Sequence, residues 1–341
     1  MTAIVSAYEL SNRFSDAMGD AVTILGLGWT HEIRAPYIMA LAVGCLLGLS
    51  EEQMAHALAV AGCFTVELGI LDVGEEELTM SRNLKFPYGA YSGILGALLA
   101  QKGFKGPLNV FEGHHGFAEV VARGKIDLGK LTQRRKDWTI LNTWIKNFAA
   151  NGQTQGFIAA TITLVKEHDI KPEDVAEITI KSNSVVGWHM SDAATHKYPK
   201  NVETAGHSAY YLAAIAFLDR AVEPEQFSDQ KLRDPKVREL IDKVSIEPAR
   251  QLDKYSSPGI VEIITKKGQK YRCEVLQPKG HPMNPMSDAD VERKFRSMAG
   301  KFMGEKQMRQ IIDTVYNLEK LDDIGELIKL LVAPGQISQK L

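Results

Sequence analysis

The sequence lacks the short motifs that mark several large enzyme classes. Its 341 residues contain no GxGxxG fingerprint, P-loop, HExxH pair or GxSxG elbow. These motifs supply phosphate-binding loops, zinc ligands or a nucleophilic serine. Their absence disfavours a dinucleotide-binding, nucleotide-binding, zinc-hydrolase or serine-esterase function.

The chain also lacks a charge excess and a long apolar run. Its 40 basic and 42 acidic residues nearly cancel, so no overall field would attract nucleic acid or an anionic membrane. The longest uncharged run, 35–50, is too short to span a bilayer and predicts a buried helix. The first dozen residues carry charge and do not resemble a secretory signal. We therefore expect neither a nucleic-acid partner nor a membrane partner.

Cysteine is scarce. Cys45, Cys63 and Cys273 are odd in number and lack the spacing of a metal or redox site. Cys45 and Cys63 lie in apolar helical patterns, which predicts that both are small buried hydrophobic residues. A reducing cytoplasm fits this usage best, and no metal site is predicted.

The pattern of the chain is helical, then mixed, then helical again. Pro36 is suited to open a helix, and Ser50 with Gln53 has the form of a capping box for the next one. A helix rich in small residues is predicted from about Pro87 to Gly103, where dense packing is the simplest explanation of the glycines. No internal repeat is present.

Extended segments are predicted only in the middle of the chain. Apolar and polar residues alternate over 177–181, and the runs 261–265 and 271–275 read as a hairpin. Helices are predicted over 156–167 and 205–219, and Ser287 is suited to cap a first C-terminal helix.

The residues suited to chemistry are histidines and cations near predicted helix starts. His31 lies in a loop before the helix at Pro36, although a loop histidine is commonly a solvated or capping residue. Arg82 and Lys85 precede the helix at Pro87, where cations and free amides together can hold a carboxylate. Solvated loop cations are the simpler alternative.

Further candidates lie in the second half. Lys146 stands between aromatic residues and is followed by the polar Gln155, although a lysine stem can simply cover such rings. His207 and Tyr211 are four residues apart, which places them on one face of a helix. A core histidine with satisfied hydrogen bonds is the competing interpretation of His207.

Several segments, in order along nearly the whole chain, resemble the MmgE/PrpD family. They are GWTH, LLGLSEEQMAHALAVAG, YGAYSGILGALLAQKGFKGPLNVFEGHHGF, WIKNFAANGQTQ, ETAGHSAYYLAAIAFLD, FSDQKLRDPKVRELIDKV and KGHPMNPMSDADVERKF.

The resemblance implies an α+β protein with a large all-helical domain built from both chain ends and a smaller inserted α+β domain. With the change in periodicity, it predicts helical segments 1–137 and 287–341 around an α+β segment 138–286. It further implies a homodimer, a site between the domains, and no metal or other cofactor.

The family includes dehydratases of 2-methylcitrate, decarboxylases of cis-aconitate and epimerases of iminodisuccinate. Their substrates imply a small di- or tricarboxylate ligand here. We expect a hydro-lyase acting on a substrate such as 2-methylcitrate. One alternative is a decarboxylase or epimerase of the same family. The other is a non-catalytic homologue that only binds carboxylates.

Position by position, the family's catalytic residues fall on His31, Lys146, His207 and Tyr211. The family's lysine before the small-residue helix falls on Arg82, with Lys85 one turn later, and we predict both to bind substrate. Gln155 is predicted to join them.

Family members usually begin with a helical section that carries an active-site aspartate and histidine, and this sequence is expected to start after it. Ala149 and Asn151 stand where members often have proline and histidine. We therefore expect carboxylate binding with weak dehydratase activity.

Overall fold

The computed structural model describes residues 1–19, 21–64, 67–72, 76–191 and 194–333. Helices form most of this part of the chain and a four-stranded sheet lies in its middle, which confirms the predicted α+β class. Its α-helices are α1 (Thr2–Met18), α2 (Ala21–Gly26), α3 (Ala35–Leu46), α4 (Glu51–Ala61), α5 (Lys85–Gln101), α6 (Gly129–Thr132), α7 (Gln155–His168), α8 (Ser184–His189), α9 (Ala194–Lys197), α10 (Val202–Ala205), α11 (Ala209–Asp219), α12 (Asp229–Leu232), α13 (Pro235–Ile241), α14 (Asp288–Ala299), α15 (Glu305–Tyr316) and α16 (Gly325–Leu330).

A first core forms where α3, α4 and α5 pack together with α1. The predicted capping box is present, because the Ser50 hydroxyl accepts from Gln53 N at 3.2 Å while the Gln53 side chain accepts from Ser50 N at 3.0 Å. The small residues of α5 face α3. A Cβ added at Gly93 would lie 2.3 Å from the carbonyl oxygen of Pro36, so the two backbones nearly touch there.

A second core lies between the sheet and the helices α7, α11 and α13. The sheet has the order β2-β1-β3-β4, with β1 parallel to β2 and the other pairs antiparallel; the strands are β1 (Val175–Ser182), β2 (Val244–Pro248), β3 (Gly259–Thr265) and β4 (Lys270–Val275). Every second residue of β3 is buried, which is the alternation expected of a strand with one face on a core. β3 and β4 pair as the predicted hairpin. β2 is a strand that the sequence did not predict.

The C-terminal helices begin as predicted, with Ser287 accepting from Asp290 N in a capping box. Two ion pairs join the C-terminal helical segment to the α+β segment 138–286. Lys279 Nζ lies 2.7 Å from Asp290 Oδ2, and Lys301 pairs with Glu225. The assignment of 287–341 to the same domain as 1–137 stays a prediction, and so does the homodimer.

Two details of the cysteine prediction are wrong. Cys45 and Cys63 are exposed, because α3 and the short turn after α4 present those positions outward. In the described part of the chain, no helix is long and apolar enough to cross a membrane.

We expect Gly93→Ala to lower the free energy of unfolding by roughly 1–3 kcal/mol, because its Cβ would push the α5 backbone away from α3. Gly26→Ala is the matched control, since a Cβ at Gly26 has no atom within 4 Å. Urea unfolding followed by circular dichroism measures both. Equal stability of the two variants would contradict the close approach of α3 and α5.

Candidate active site

A carboxylate shared by two cations lies at the start of α5. Asp72 Oδ1 is 2.7 Å from Arg82 Nη2, and Asp72 Oδ2 is 2.6 Å from Lys85 Nζ. Burial raises the pKa of Asp72, but the hydrogen bonds and charges of Lys85 and Arg82 outweigh it and hold the pKa at about 2. Asp72 is therefore ionised at neutral pH, and it fixes both cations.

Local backbone pairing brings the His31 segment to this carboxylate. Gly69 N donates to Gly28 O at 2.8 Å, and Thr30 N donates to Glu67 O at 3.0 Å. Gly28 has a φ of +91°, a conformation that glycine adopts without strain. The short 3-10 turn that follows, His31–Arg34, leads directly into α3.

Two glutamates accompany the turn. Glu32 Oε2 lies 3.3 Å from Lys85 Nζ, so Lys85 has carboxylates on two sides. Glu67 is buried, and its Oε2 accepts from the Thr30 hydroxyl at 3.2 Å. Burial, and then the charge of Glu32, raise the pKa of Glu67 to about 7. The two cations and the anions of Asp72 and Glu32 together carry no net charge.

His207 joins the cluster from the loop before α11. Its Nδ1 lies 2.9 Å from Arg82 Nη1 and 3.0 Å from Glu203 O. A guanidinium can only donate and a carbonyl oxygen can only accept, so either tautomer of the neutral His207 ring satisfies one of these two contacts. Burial, and then the charge of Arg82, lower the pKa of His207 to about 3, which keeps the ring neutral.

His189 was not among the predicted site residues, yet it lies beside His207. The two ring centroids are 6.4 Å apart. Burial lowers the pKa of His189 to about 4; Asp72 opposes this, and His196, Arg82 and His31 add to it. His189 ends the short helix α8 next to Trp188, and a histidine at such a helix end is the only signal that the sequence offers.

His31 lies between this cluster and an open cleft. Burial, and then the charge of Arg34, lower its pKa, whereas Glu32 and Asp72 act in the opposite direction. The cleft has a volume of about 660 Å³ and lies between α1, the His31 turn and the segment leading to α7. Its lining includes Asn12, Ser15, Arg34, Trp144, Gln153 and Ser256.

Lys146 approaches from the loop that precedes α7. Its ammonium donates to Ala150 O at 2.9 Å. Burial of that ammonium lowers its pKa, and the charges of Lys294 and Arg82 lower it further. Lys146 therefore lies close enough to Arg82 for the two positive charges to repel.

The structure brings together five of the predicted residues and leaves two apart. Those brought together are His31, Arg82, Lys85, Lys146 and His207. Tyr211 is not in the cluster, because its hydroxyl is buried in the second core and donates to Gln226 O at 2.5 Å. Burial, and then Asp219 and Asp234, raise the pKa of Tyr211.

Gln155 also does not reach the cluster with its side chain. Its Oε1 accepts from Phe148 N at 2.8 Å, and its Nε2 donates to Phe148 O and Asn151 O. Both polar atoms of the fully buried side chain are therefore used to hold the loop that carries Lys146.

One group among the described residues combines three metal-type ligands, and it is not in this cluster. His114, His115 and Glu119 lie together on the exposed surface. His114 Nδ1 is 2.8 Å from Glu119 Oε2, so the carboxylate already has a partner within the chain.

Family models match most of the chain. The model of the MmgE/PrpD N-terminal domain matches residues 1–128, and that of the MmgE/PrpD C-terminal domain matches residues 148–319. The gap between the two matches, residues 129–147, includes Lys146. The chain belongs to the MmgE/PrpD family.

Curated relatives include cis-aconitate decarboxylases. That of Aspergillus terreus is 27% identical over 97% of this chain and 70% of its own length. The human cis-aconitate decarboxylase is 26% identical over 87% of this chain and 61% of its own length. A cis-aconitate decarboxylase-like protein of Aspergillus oryzae is 25% identical over 97% of this chain.

We expect Asp72→Asn to lower the free energy of unfolding by roughly 3–5 kcal/mol, because it leaves two buried cations without their shared anion. The folded pKa of Asp72 lies below its ordinary 3.8, so its stabilisation is present above about pH 4 and is lost toward about pH 2. The variant should therefore lose less stability than the wild type between pH 4 and pH 2. Thermal melts across that range measure both effects.

The matched control is Asp169→Asn. Asp169 also contacts a lysine and an arginine, but its side chain is 62% exposed. Its φ of +47° is a conformation that asparagine tolerates. A loss of stability as large as that of Asp72→Asn would show that the buried position of Asp72 is irrelevant.

Proposed function

We propose that this chain is a lyase that acts on a small polycarboxylate, and that decarboxylation of cis-aconitate or a close analogue is its reaction. The observation that carries the proposal is the Lys146 ammonium. It lies close to Arg82, and the hydrogen bond that the structure gives it goes to a neutral carbonyl, Ala150 O. Arg82 and Lys85 are neutralised by Asp72 and Glu32, whereas Lys146 has no carboxylate partner among the described residues and offers a positive charge near them.

The curated relatives favour decarboxylation over the dehydration that the sequence alone suggested first. Three of them, from two fungi and human, are named as cis-aconitate decarboxylases or decarboxylase-like proteins. Both reactions need carboxylate binding and a positioned proton-transfer group. The same cluster could therefore serve either reaction, and the choice rests on the relatives.

Decarboxylation of cis-aconitate needs one proton and no oxidant. The bond between the CH2 arm and its carboxylate breaks, CO2 leaves, and the released electron pair forms a terminal double bond. The electron pair of the original double bond takes a proton at the former alkene CH. The products are CO2 and a five-carbon dicarboxylate with a terminal methylene group.

His31 is the proposed proton donor because it lies between the cluster and the cleft. Its pKa is lowered in the free protein, but a bound trianion beside the ring would raise it, since an opposite charge favours the protonated form. Lys146 would stabilise the carboxylates in the same place. His207 and His189 stay neutral behind them.

We expect His31→Asn to lower kcat by roughly 100- to 10,000-fold, the usual cost of losing a general acid. The measurement is proton NMR of cis-aconitate consumption together with CO2 release. His168→Asn is the control, because His168 is exposed and its ring lies 4.4 Å from that of Tyr271 on β4, away from the cluster.

The competing functions give different results in the same assays. Dehydration of 2-methylcitrate without CO2 release from cis-aconitate would favour the hydro-lyase. Tight binding of cis-aconitate, measured by calorimetry, with turnover of neither substrate would favour a non-catalytic homologue.

A further inference from the structure

The cleft beside His31 contains a guanidinium that has no counter-ion among the residues that the structure describes. Arg34 Nη1 donates to the Ser15 hydroxyl at 2.7 Å. In the described ranges, no carboxylate oxygen lies within ion-pair distance of Arg34, and the Ser15 bond is the one hydrogen bond of its side chain. A guanidinium has five N–H donors, so most of its capacity is unused.

Burial makes this arrangement costly for a free protein. Burial lowers the pKa of Arg34, and the charge of Glu32 only partly opposes it. Glu32 itself is directed to Lys85, at 3.3 Å, and does not pair with Arg34. A buried charge without a partner is unfavourable, and an anion in the cleft would relieve that cost.

Of the two arginines that line the cleft, Arg34 is the one available to bind an anion. The other arginine of the cleft, Arg135, is already paired, because its Nη2 lies 2.7 Å from Asp16 Oδ2. Arg34 is the charge that most lowers the pKa of the His31 ring, so the two side chains lie close together. An anion bound to Arg34 would therefore lie against His31.

We propose that Arg34 binds one carboxylate of the polycarboxylate substrate, and that it makes the site selective for tricarboxylates over dicarboxylates. The proposal rests on the proposed function, because it assigns the substrate's reacting end to the cleft side of His31. The planar fork of a guanidinium matches the two oxygens of a carboxylate, which a lysine ammonium does not. Ser15 would hold the guanidinium in the orientation needed for that pairing.

Two separated positive charges explain why three carboxylates would be preferred. Arg34 lines the cleft close to the His31 ring, whereas Lys146 does not line the cleft and lies near Arg82. A dicarboxylate that satisfies Lys146 and the histidines leaves Arg34 unpaired. A third carboxylate adds charge-assisted hydrogen bonds at Arg34.

The test is calorimetric binding of two inert ligands, propane-1,2,3-tricarboxylate and glutarate. We expect the wild type to prefer the tricarboxylate, and Arg34→Gln to weaken its binding by roughly 10- to 100-fold while glutarate binding changes little. Arg34→Lys should recover only part of the loss. Loss of affinity for both ligands to the same extent, or for neither, would overturn the proposal.

Matched variants separate this effect from a general loss of charge or fold. Arg272→Gln removes a guanidinium that is 54% exposed and pairs with Glu262 and Glu274 on the sheet, so tricarboxylate affinity should be unchanged. Circular dichroism melts of all variants check the fold. Inorganic phosphate is titrated as a second anion, and binding of phosphate as tight as that of the tricarboxylate would refute carboxylate selectivity.

Steady-state kinetics distinguish failure of this proposal from failure of the proposed function. If cis-aconitate is turned over, Arg34→Gln should raise KM far more than it lowers kcat. Turnover with an unchanged KM in Arg34→Gln would leave the lyase proposal intact and overturn the role of Arg34. If no substrate is turned over but Arg34→Gln selectively loses tricarboxylate binding, the role of Arg34 stands and the lyase proposal is overturned.

Discussion

The Asp72 carboxylate, shared between Arg82 and Lys85, is the interaction on which the site depends. It links the segment after α4 to the first turn of α5, and it is buried where an unpaired cation would be costly. Asp72 also orients the Arg82 guanidinium, whose Nη1 lies 2.9 Å from Nδ1 of His207. One carboxylate thus fixes two cations directly and a histidine through one of them.

The ion pairs of Asp72 limit which positive charges a substrate can use. Arg82 and Lys85 are part of a unit that Asp72 and Glu32 make neutral, so their charges are largely used within the protein. A polyanion must find its counter-charges at the edges of the unit, where Lys146 is held by a carbonyl alone. The buried histidines are neutral before a ligand arrives, and an anion would favour their protonated forms. Binding and proton supply are therefore coupled.

The sequence predicted the parts of the molecule that local patterns determine. The capping box at Ser50, the helix cap at Ser287 and the hairpin of β3 and β4 follow from short-range rules, and all three are present. The strand β2 was missed because it is only five residues long and pairs in parallel with the distant β1. The small residues of α5 predicted dense packing without identifying the partner, and the structure shows that the partner is α3.

The cluster itself was harder to predict, because its members are distant in sequence. Arg82 and His207 were expected from the family resemblance, but Asp72 and Glu67 follow no motif and become visible only through their partners.

Helical spacing misled at Tyr211. It shares a face with His207 by counting, yet His207 precedes α11 and the Tyr211 ring is buried against Phe227. Gln155 was expected to contact substrate and instead supports the backbone.

That support explains how Lys146 can hold its position although no described residue forms an ion pair with it. Ile145 N donates to Gly280 O at 3.0 Å, and a Cβ on Gly280 would lie 1.9 Å from Ile145 O. The two backbone segments are therefore in direct contact. Lys294 donates to the carbonyl of Lys146, and Gln155 holds the loop from its other end. The ammonium is therefore placed by the backbone around it. Because that placement does not require a carboxylate, the charge of Lys146 stays available to a ligand.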